Sequence, residues 1–76
     1  MSAPVSRAQD IAARLSASGF VPRLSRHAAH IRVEVDVPEP ISPERWRLLL
    51  AALVLGDRFG LASDAEQRTA WSHIHH

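Results

Sequence analysis

The histidines are the side chains whose type and spacing most readily suggest chemistry. His27 and His30 are separated by two residues, a spacing that two ligands of one metal ion can have, and three more histidines lie at positions 73, 75 and 76. The first pair falls in a predicted loop, and the sequence places no third ligand beside it, so we predict solvated histidines and no metal site. The chain contains no cysteine, which excludes disulfides, thiolate zinc sites and thiol nucleophiles.

Two acidic residues form a second candidate site. Glu34 and Asp36 lie on one face of a predicted strand, where neighbouring carboxylates can share general acid–base work. Arg23 and Arg32 are close in sequence or in predicted pairing, so a salt-bridged sheet face is the favoured interpretation. We find no Ser-His-Asp order and no glycine-rich phosphate or dinucleotide loop. The residues alone therefore predict neither a catalytic group nor a cofactor.

The arginines suggest a third kind of site. The net charge is only +1, yet residues 1–32 carry five arginines and one acid, whereas residues 33–76 carry four arginines and seven acids. Such a basic half can face phosphates or an acidic partner, or it can simply neutralise the other half. The candidate nucleic-acid contacts are Arg7, Arg14, Arg23, Arg26 and Arg32. We expect no aromatic ring on the polar sheet face, which favours contact with the nucleic-acid backbone over base stacking.

A helix and a hairpin must position most of these side chains. Apolar residues recur at helical spacing after Ser6, a possible N-cap, and Gly19 can end the helix, so we predict a helix over 6–18. Strands are predicted at 20–24 and 31–37, and the second alternates apolar and polar side chains along its length. We predict that the two strands form a hairpin with a turn near residues 28–29.

Charge and proline content specify how that hairpin pairs. Pro22 cannot donate to a sheet ladder, so the first strand is predicted at an edge. A register with Arg23 opposite Glu34 pairs opposite charges and keeps the apolar side chains on one face. A tight two-residue turn is disfavoured because no glycine or asparagine lies there.

A second helix and a final strand complete the predicted fold. Ser42 and Pro43 have the residue types of a helix start, and the apolar pattern extends the predicted helix over 43–59. This helix is apolar nearly all round from residue 48 to residue 55, which is typical of burial on more than one side. A turn at 63–66 and a strand at 68–74 follow, although a short terminal helix also fits the tail.

The predicted fold class is α+β, a small two-layer α-β-β-α-β domain with an antiparallel sheet packed on two helices. The 76 residues, 46% hydrophobic and 22% charged, suit one globular domain over 1–76, with flexible termini at 1–5 and 75–76. The predicted core consists of Ile11, Leu15, Phe20, Val33, Val35, Leu49, Leu50 and Leu53. The predicted outer sheet face carries Arg23, Arg32, Glu34 and Asp36.

The second helix carries more apolar surface than the narrow stripe of the first can cover. A small domain without disulfides or metals is commonly stabilised by a partner chain, so we expect a homodimer or a protein partner. The candidate interface residues are Trp46, Leu48, Ala52, Leu55 and Phe59. The longest apolar run has eight residues and a membrane span needs about 20, so we expect no membrane contact and a cytoplasmic protein.

The order of elements over residues 8–55 resembles the HicA-type toxin family. The resemblance lies in a helix ending at Gly19-Phe20, an arginine-bearing strand, a histidine-bearing loop, a second strand and a proline-rich entry to a helix. It implies a small RNA-cleaving protein with a double-stranded-RNA-binding-like α-β-β-β-α fold and with His30 as the catalytic residue. The family's Gly-Ser-His reads Ala28-Ala29-His30 here, lysine is absent, and one strand fewer is predicted.

Three functions therefore stay open. The favoured one is a small non-enzymatic interaction or regulatory module that self-associates through its apolar helix or a sheet edge. The second is a nucleic-acid-binding accessory protein that uses the basic helix face and the hairpin. The third is the HicA-like RNA-cleaving toxin with His30.

Overall fold

The computed structural model describes residues 3–75, which form two helices on one face of a four-stranded sheet. The elements are α1 (Ala3–Ala17), β1 (Arg23–Arg26), β2 (His30–Val37), α2 (Pro43–Leu53), β3 (Arg58–Ser63) and β4 (Arg68–His75). All strand pairs are antiparallel, and the strand order is β1-β2-β4-β3. The predicted two-layer α+β class is confirmed, with one strand more than the predicted element order.

Helix α1 begins earlier than predicted and ends where it was expected. It starts at Ala3, so Ser6 lies inside the helix and is not its N-cap. At the other end, Gly19 adopts a left-handed φ of 91°, and the N–H of Phe20 donates to the carbonyl of Leu15 at 3.0 Å. Neither α1 nor α2 is long and apolar enough to cross a membrane.

Helix α1 and strand β4 extend into the two predicted terminal segments. Residues 3–5 belong to α1 and His75 belongs to β4. Residues 1, 2 and 76 lie outside the described part of the chain. Val5 in the first turn of α1 packs against the buried core, so the apolar side of the helix extends to its N-terminal turn.

The β1–β2 hairpin has the predicted register. Arg23 lies opposite Glu34, and the N–H of His27 donates to the carbonyl of His30 at 2.8 Å across a turn at residues 28–29. Strand β1 occupies 23–26 and not 20–24, because Phe20 turns into the core directly after the helix. Leu24 points toward the helices but stays 46% exposed at the sheet edge.

Helix α2 begins as predicted but ends six residues early. The Ser42 hydroxyl accepts a hydrogen bond from the N–H of Arg45 at 3.2 Å, and Pro43 occupies the first turn. The helix ends at Leu53, and the chain reverses over residues 54–57. The prediction of a helix over 43–59 is therefore wrong at its C-terminal end, and Phe59 lies on strand β3.

Contacts with distant parts of the chain hold this reversal. The carboxylate of Asp57 accepts from the N–H of His75 at 2.8 Å and is paired with Arg7 of α1 at 3.3 Å. The N–H of Asp57 donates to the carbonyl of His73 at 2.8 Å. The His75 N–H and the Arg7 guanidinium lower the pKa of Asp57, because both stabilise its charged form.

The core lies between the helices and the inner face of β2 and β4. Its buried apolar residues are Ala8, Ile11, Leu15, Phe20, Ile31, Val33, Val35, Val37, Leu49, Ala52, Leu53, Ala70 and Ile74. Seven of the eight predicted core residues are confirmed by this set, whereas Leu50 is half-buried. Ala52, which we predicted at a partner interface, is only 2% exposed and belongs to the core.

Candidate functional site

The solvent-facing side of the sheet, hereafter the outer face, carries polar and aromatic side chains from all four strands. Strand alternation puts these residues on it: Arg23, Ser25, His30, Arg32, Glu34, Asp36, Arg58, Gly60, Ala62, Thr69, Trp71, His73 and His75. The four residues predicted for this face are all present. The outer face also carries histidines and a tryptophan whose location the sequence did not reveal.

Ion pairs occupy the centre and one end of the outer face. Arg23 contacts Asp36 at 3.0 Å and Glu34 at 3.8 Å, and Arg32 contacts Glu34 at 3.4 Å. The hydrogen bond from Arg23 lowers the pKa of Asp36. The salt-bridged sheet face predicted from the sequence is confirmed, and both carboxylates are compensated by arginine.

Four rings, hereafter the aromatic stack, cross the other part of the outer face. The ring centroids of His27 and His30 are 4.7 Å apart, those of His30 and His73 are 4.1 Å apart, and those of His73 and Trp71 are 4.4 Å apart. The expectation that this face lacks an aromatic ring is wrong. Trp71 lies on it because its neighbours Ala70 and Ser72 occupy the buried side of β4.

A glycine on the edge strand makes room for the indole of Trp71. Gly60 lies directly opposite Trp71, and a Cβ atom at Gly60 would come within 2.7 Å of the indole Cζ2 atom. The ring therefore lies over the backbone of β3. The guanidinium carbon of Arg32 is 5.3 Å from the indole centroid, within the range of a cation–π contact.

The geometry of the stack does not favour metal binding. His30 and His73 are stacked with an angle of 30° between their planes, so their ring nitrogens do not converge on one point between them. A ring nitrogen of His73, Nε2, lies 3.3 Å from Nη1 of Arg32, which is a donor. Within residues 3–75, no group of three histidine or acidic side chains could hold a metal ion.

Burial and nearby positive charge act on His73. Burial lowers the pKa of His73, and the neighbouring charges of His30 and Arg32 lower it further. The neutral form is also the form that can accept a hydrogen bond from Arg32 through Nε2. Folding therefore favours the uncharged imidazole.

We expect the free energy of unfolding to decrease as the pH falls below about 6.5, the ordinary histidine pKa. Between the folded-state pKa and that value, unfolded His73 binds a proton that folded His73 does not, so stability rises with pH across this window and is level above it. Urea unfolding at pH 7.5, 6.5 and 5.5 measures the effect. His73→Thr should flatten the decrease, whereas His75→Thr, at the exposed end of β4, should retain it. An unchanged pH dependence in His73→Thr would contradict this assignment.

The five arginines predicted to bind nucleic acid do not form one surface. Arg7 bonds Asp57 and the carbonyl of Leu55, and Arg14 pairs with Asp10 at 3.2 Å, so both lie in the helical layer. The remaining three lie on the hairpin: Arg23, Arg26 and Arg32. Arg26 is two residues from Leu24 on β1, so its side chain also faces the helix side, where it lies beside Val5 and Ile31. The structure brings only Arg23 and Arg32 together on the outer face.

A second candidate surface, hereafter the β3 edge, is apolar. Phe59 and Leu61 are 46% and 54% exposed and lie on the helix-facing side of the edge strand, opposite the small residues Ser72 and Ala70. Leu55, which precedes the strand, is also exposed. Of the five predicted interface residues, Leu48, Leu55 and Phe59 are exposed, Trp46 is half-buried and Ala52 is buried.

The two edges of the sheet differ in how they are protected. Strand β1 has four residues, begins after Pro22 and contains Arg23 and Arg26, all features that oppose pairing with another chain. Strand β3 has six residues with a single charge, Arg58, at its first position and no proline. The β3 edge is thus the open edge of the sheet.

His30, implied as catalytic by the resemblance to HicA-type toxins, begins β2 and stacks between His27 and His73. Two strands separate the helices here, whereas that resemblance implies three. Comparisons of the chain with protein-family models, with curated proteins and with solved structures found no match. The fold and its surfaces therefore define the class, a small two-layer α+β domain with an open apolar sheet edge.

Proposed function

We propose that this protein is a non-enzymatic interaction module that forms a homodimer through the β3 edge. The observation that carries the proposal is the exposure of Phe59 and Leu61 on an edge strand without internal charge or proline. An exposed apolar edge of this kind is a template for pairing with another strand. A domain of 76 residues buries a smaller share of its surface than a larger one does, so apolar surface covered by a partner would add to its stability.

The alternation of β3 restricts a symmetric antiparallel pair to registers centred on a residue, and the register centred on Gly60 brings its two exposed apolar side chains together. Side chains that oppose each other across two strands must share a face, so an antiparallel pair centred on Gly60 sets Phe59 opposite Leu61 of the second copy. The two-fold axis repeats this contact, which gives two aromatic–aliphatic pairs on the helix side. On the outer face, Arg58 then lies opposite Ala62 of the second copy.

This register favours a second copy of the chain over an unrelated partner. The two Arg58 side chains lie at opposite ends of the paired strands, so no like charges face each other. Phe59 and Leu61 of one copy meet Leu61 and Phe59 of the other, so the same strand supplies both halves of the apolar contact. The dimer interface is isologous, which is the commonest arrangement in homodimers.

Two exposed leucines at opposite edges provide a matched test. Leu61→Lys puts a charge opposite Phe59 of the second copy and should convert a dimer into a monomer. Leu24→Lys introduces the same charge on the helix-facing side of β1 and should leave the dimer intact. Light scattering coupled to gel filtration measures the mass of each variant at 10 to 200 µM.

The wild-type chain should have twice the monomer mass of 8.4 kDa at the upper concentrations. A monomeric wild type at every concentration would reject the proposal. Dimers that survive Leu61→Lys and dissociate in Leu24→Lys would assign the interface to β1 instead.

The two alternative functions have weaker support. A duplex-binding surface built from Arg7, Arg14 and the hairpin arginines would have to span both layers of the domain, and several of these arginines already pair with carboxylates. An RNA-cleaving role for His30 predicts that His30→Ala abolishes cleavage. Neither alternative gives a role to the exposed Phe59 and Leu61 of the β3 edge, which the proposed dimer covers.

A further inference from the structure

We propose that the outer face binds single-stranded nucleic acid, with Trp71 as the surface on which a base stacks and with Arg58 as its phosphate contact. The proposal does not depend on dimerisation through the β3 edge. Its two contact residues, Trp71 and Arg58, lie on β4 and β3 and are not among the nucleic-acid contacts predicted from the sequence.

Trp71 provides a flat ring on an open sheet. Gly60 leaves the space in which the indole lies over β3, and any larger residue there would displace the ring. Trp71 is half-buried and remains partly accessible on the outer face. Bases stack on aromatic rings with little sequence preference, because every base has an aromatic face.

Positive charge lies beside the ring. Arg32 is over the indole at 5.3 Å, and Arg58 is paired in register with His73, the next outer-face residue along β4. Arg58 forms no ion pair with any side chain in residues 3–75. Its guanidinium is therefore available for a phosphate without breaking an internal contact.

Charges divide the outer face into two ends. The acidic residues Glu34 and Asp36 are compensated by Arg23 and Arg32 at the end where β2 finishes. The opposite end carries Arg58 and the histidines of the aromatic stack. Trp71 lies opposite Glu34 in register, so a polyanion is attracted to the histidine end, which begins one outer-face position along β4 from Trp71.

The composition of the face favours a single strand over other partners. Its largest aliphatic side chain is that of Ala62, so it has little to bury against an apolar protein surface. A duplex keeps its bases stacked inside and would leave Trp71 without a partner. A single strand offers an unstacked base and a phosphate together, which matches an indole next to a guanidinium.

Tryptophan fluorescence provides a direct test. The sequence contains two tryptophans, Trp46 and Trp71. In a Trp46→Phe background Trp71 is the only indole, and titration with a twelve-nucleotide oligo(dT) at 20 mM salt should quench its emission. The matched twelve-base-pair duplex should quench it less. Absence of quenching by the single strand, or equal quenching by the duplex, would overturn the proposal.

Two variants separate the roles of charge and stacking. Arg58→Ala should weaken binding and reduce the slope of log K against log salt by about 0.7, the value for one phosphate contact on a single strand. Arg47→Ala removes an exposed arginine from helix α2 and should change neither quantity. Trp71→Leu, followed by oligonucleotide anisotropy, should reduce affinity by roughly tenfold. Equal affinities for the Arg58 and Arg47 variants would reject the outer face as the binding site.

Discussion

Replacing Gly56 with alanine is expected to lower the free energy of unfolding by about 3 kcal/mol, the upper part of the range for overpacked interiors. A Cβ atom at Gly56 would overlap the hydroxyl oxygen of Ser72 and lie 3.0 Å from the carbonyl oxygen of His73. Ser72 is fully buried, and its hydroxyl donates to the carbonyl of Leu53 at 2.9 Å. Moving the Ser72 hydroxyl breaks its bond to Leu53 at the end of α2, and moving the His73 carbonyl breaks the bond that it accepts from the N–H of Asp57.

A double-mutant cycle with Ser72→Ala tests this explanation. Ser72→Ala alone removes one buried hydrogen bond and should cost about 1 kcal/mol. Because it also removes the atom that clashes most closely, the double variant should be more stable than Gly56→Ala alone. Urea unfolding measures all three variants. Additive losses of stability in the double variant would show that the clash with the Ser72 hydroxyl does not cause the destabilisation by Gly56→Ala.

Leu49→Ala should destabilise the domain by about 2–5 kcal/mol. Leu49 is fully buried between the helices and the sheet, so its removal leaves a cavity in a small core. The adjacent Leu48 is 51% exposed and lies on the other side of α2. Leu48→Ala should cost less than about 1 kcal/mol, because little apolar surface returns to water.

The comparison of these neighbouring leucines also checks the orientation of α2. The variants share length, helix propensity and helix position, so a difference between them reports burial alone. Chemical unfolding followed by circular dichroism measures it at fixed protein concentration. Similar losses of stability for the two variants would contradict the orientation of the helix.

The hairpin was predictable because its signals are local. The alternation through β2 marks one buried face, and the opposite charges of Arg23 and Glu34 select the register that the structure shows. The start of α2 at Ser42 and Pro43 is equally local, since capping depends on residues within one turn.

The end of α2 was not predictable in the same way. Apolar residues continue at helical spacing from Leu53 to Phe59, so the periodicity favours a longer helix. What ends the helix is a set of contacts with remote residues, among them the bonds that the Asp57 carboxylate accepts from Arg7 and from the N–H of His75. Strand β3 was missed because it exists only through pairing with β4, whose own register the sequence did not define.

Only the part of the outer face that lies on β2 could be predicted, because the part on β4 depends on contacts with distant residues. The side of the sheet occupied by Arg32 and Glu34 follows from the alternation in β2. The side occupied by Trp71 depends on which residues of β4 are buried, and small residues such as Ala70 and Ser72 carry little hydrophobic signal. The glycine opposite the indole could be recognised only after the β3–β4 register was known.

Cross-linking at β3 tests the proposed dimer most directly, because the chain has no native cysteine. In the double variant Arg58→Cys/Ala62→Cys, each thiol should face its complement on the second copy across the Gly60-centred register. Within one chain the two positions are four residues apart, about 13 Å, which is too far for an internal bridge. The single variant Ala62→Cys is the matched control.

Mild oxidation, followed by gel electrophoresis without reductant, gives the readout. We expect a covalent dimer in the double variant and far less of it in the single variant. A double variant that stays monomeric under oxidation, or a single variant that cross-links equally well, would contradict pairing through the β3 edge.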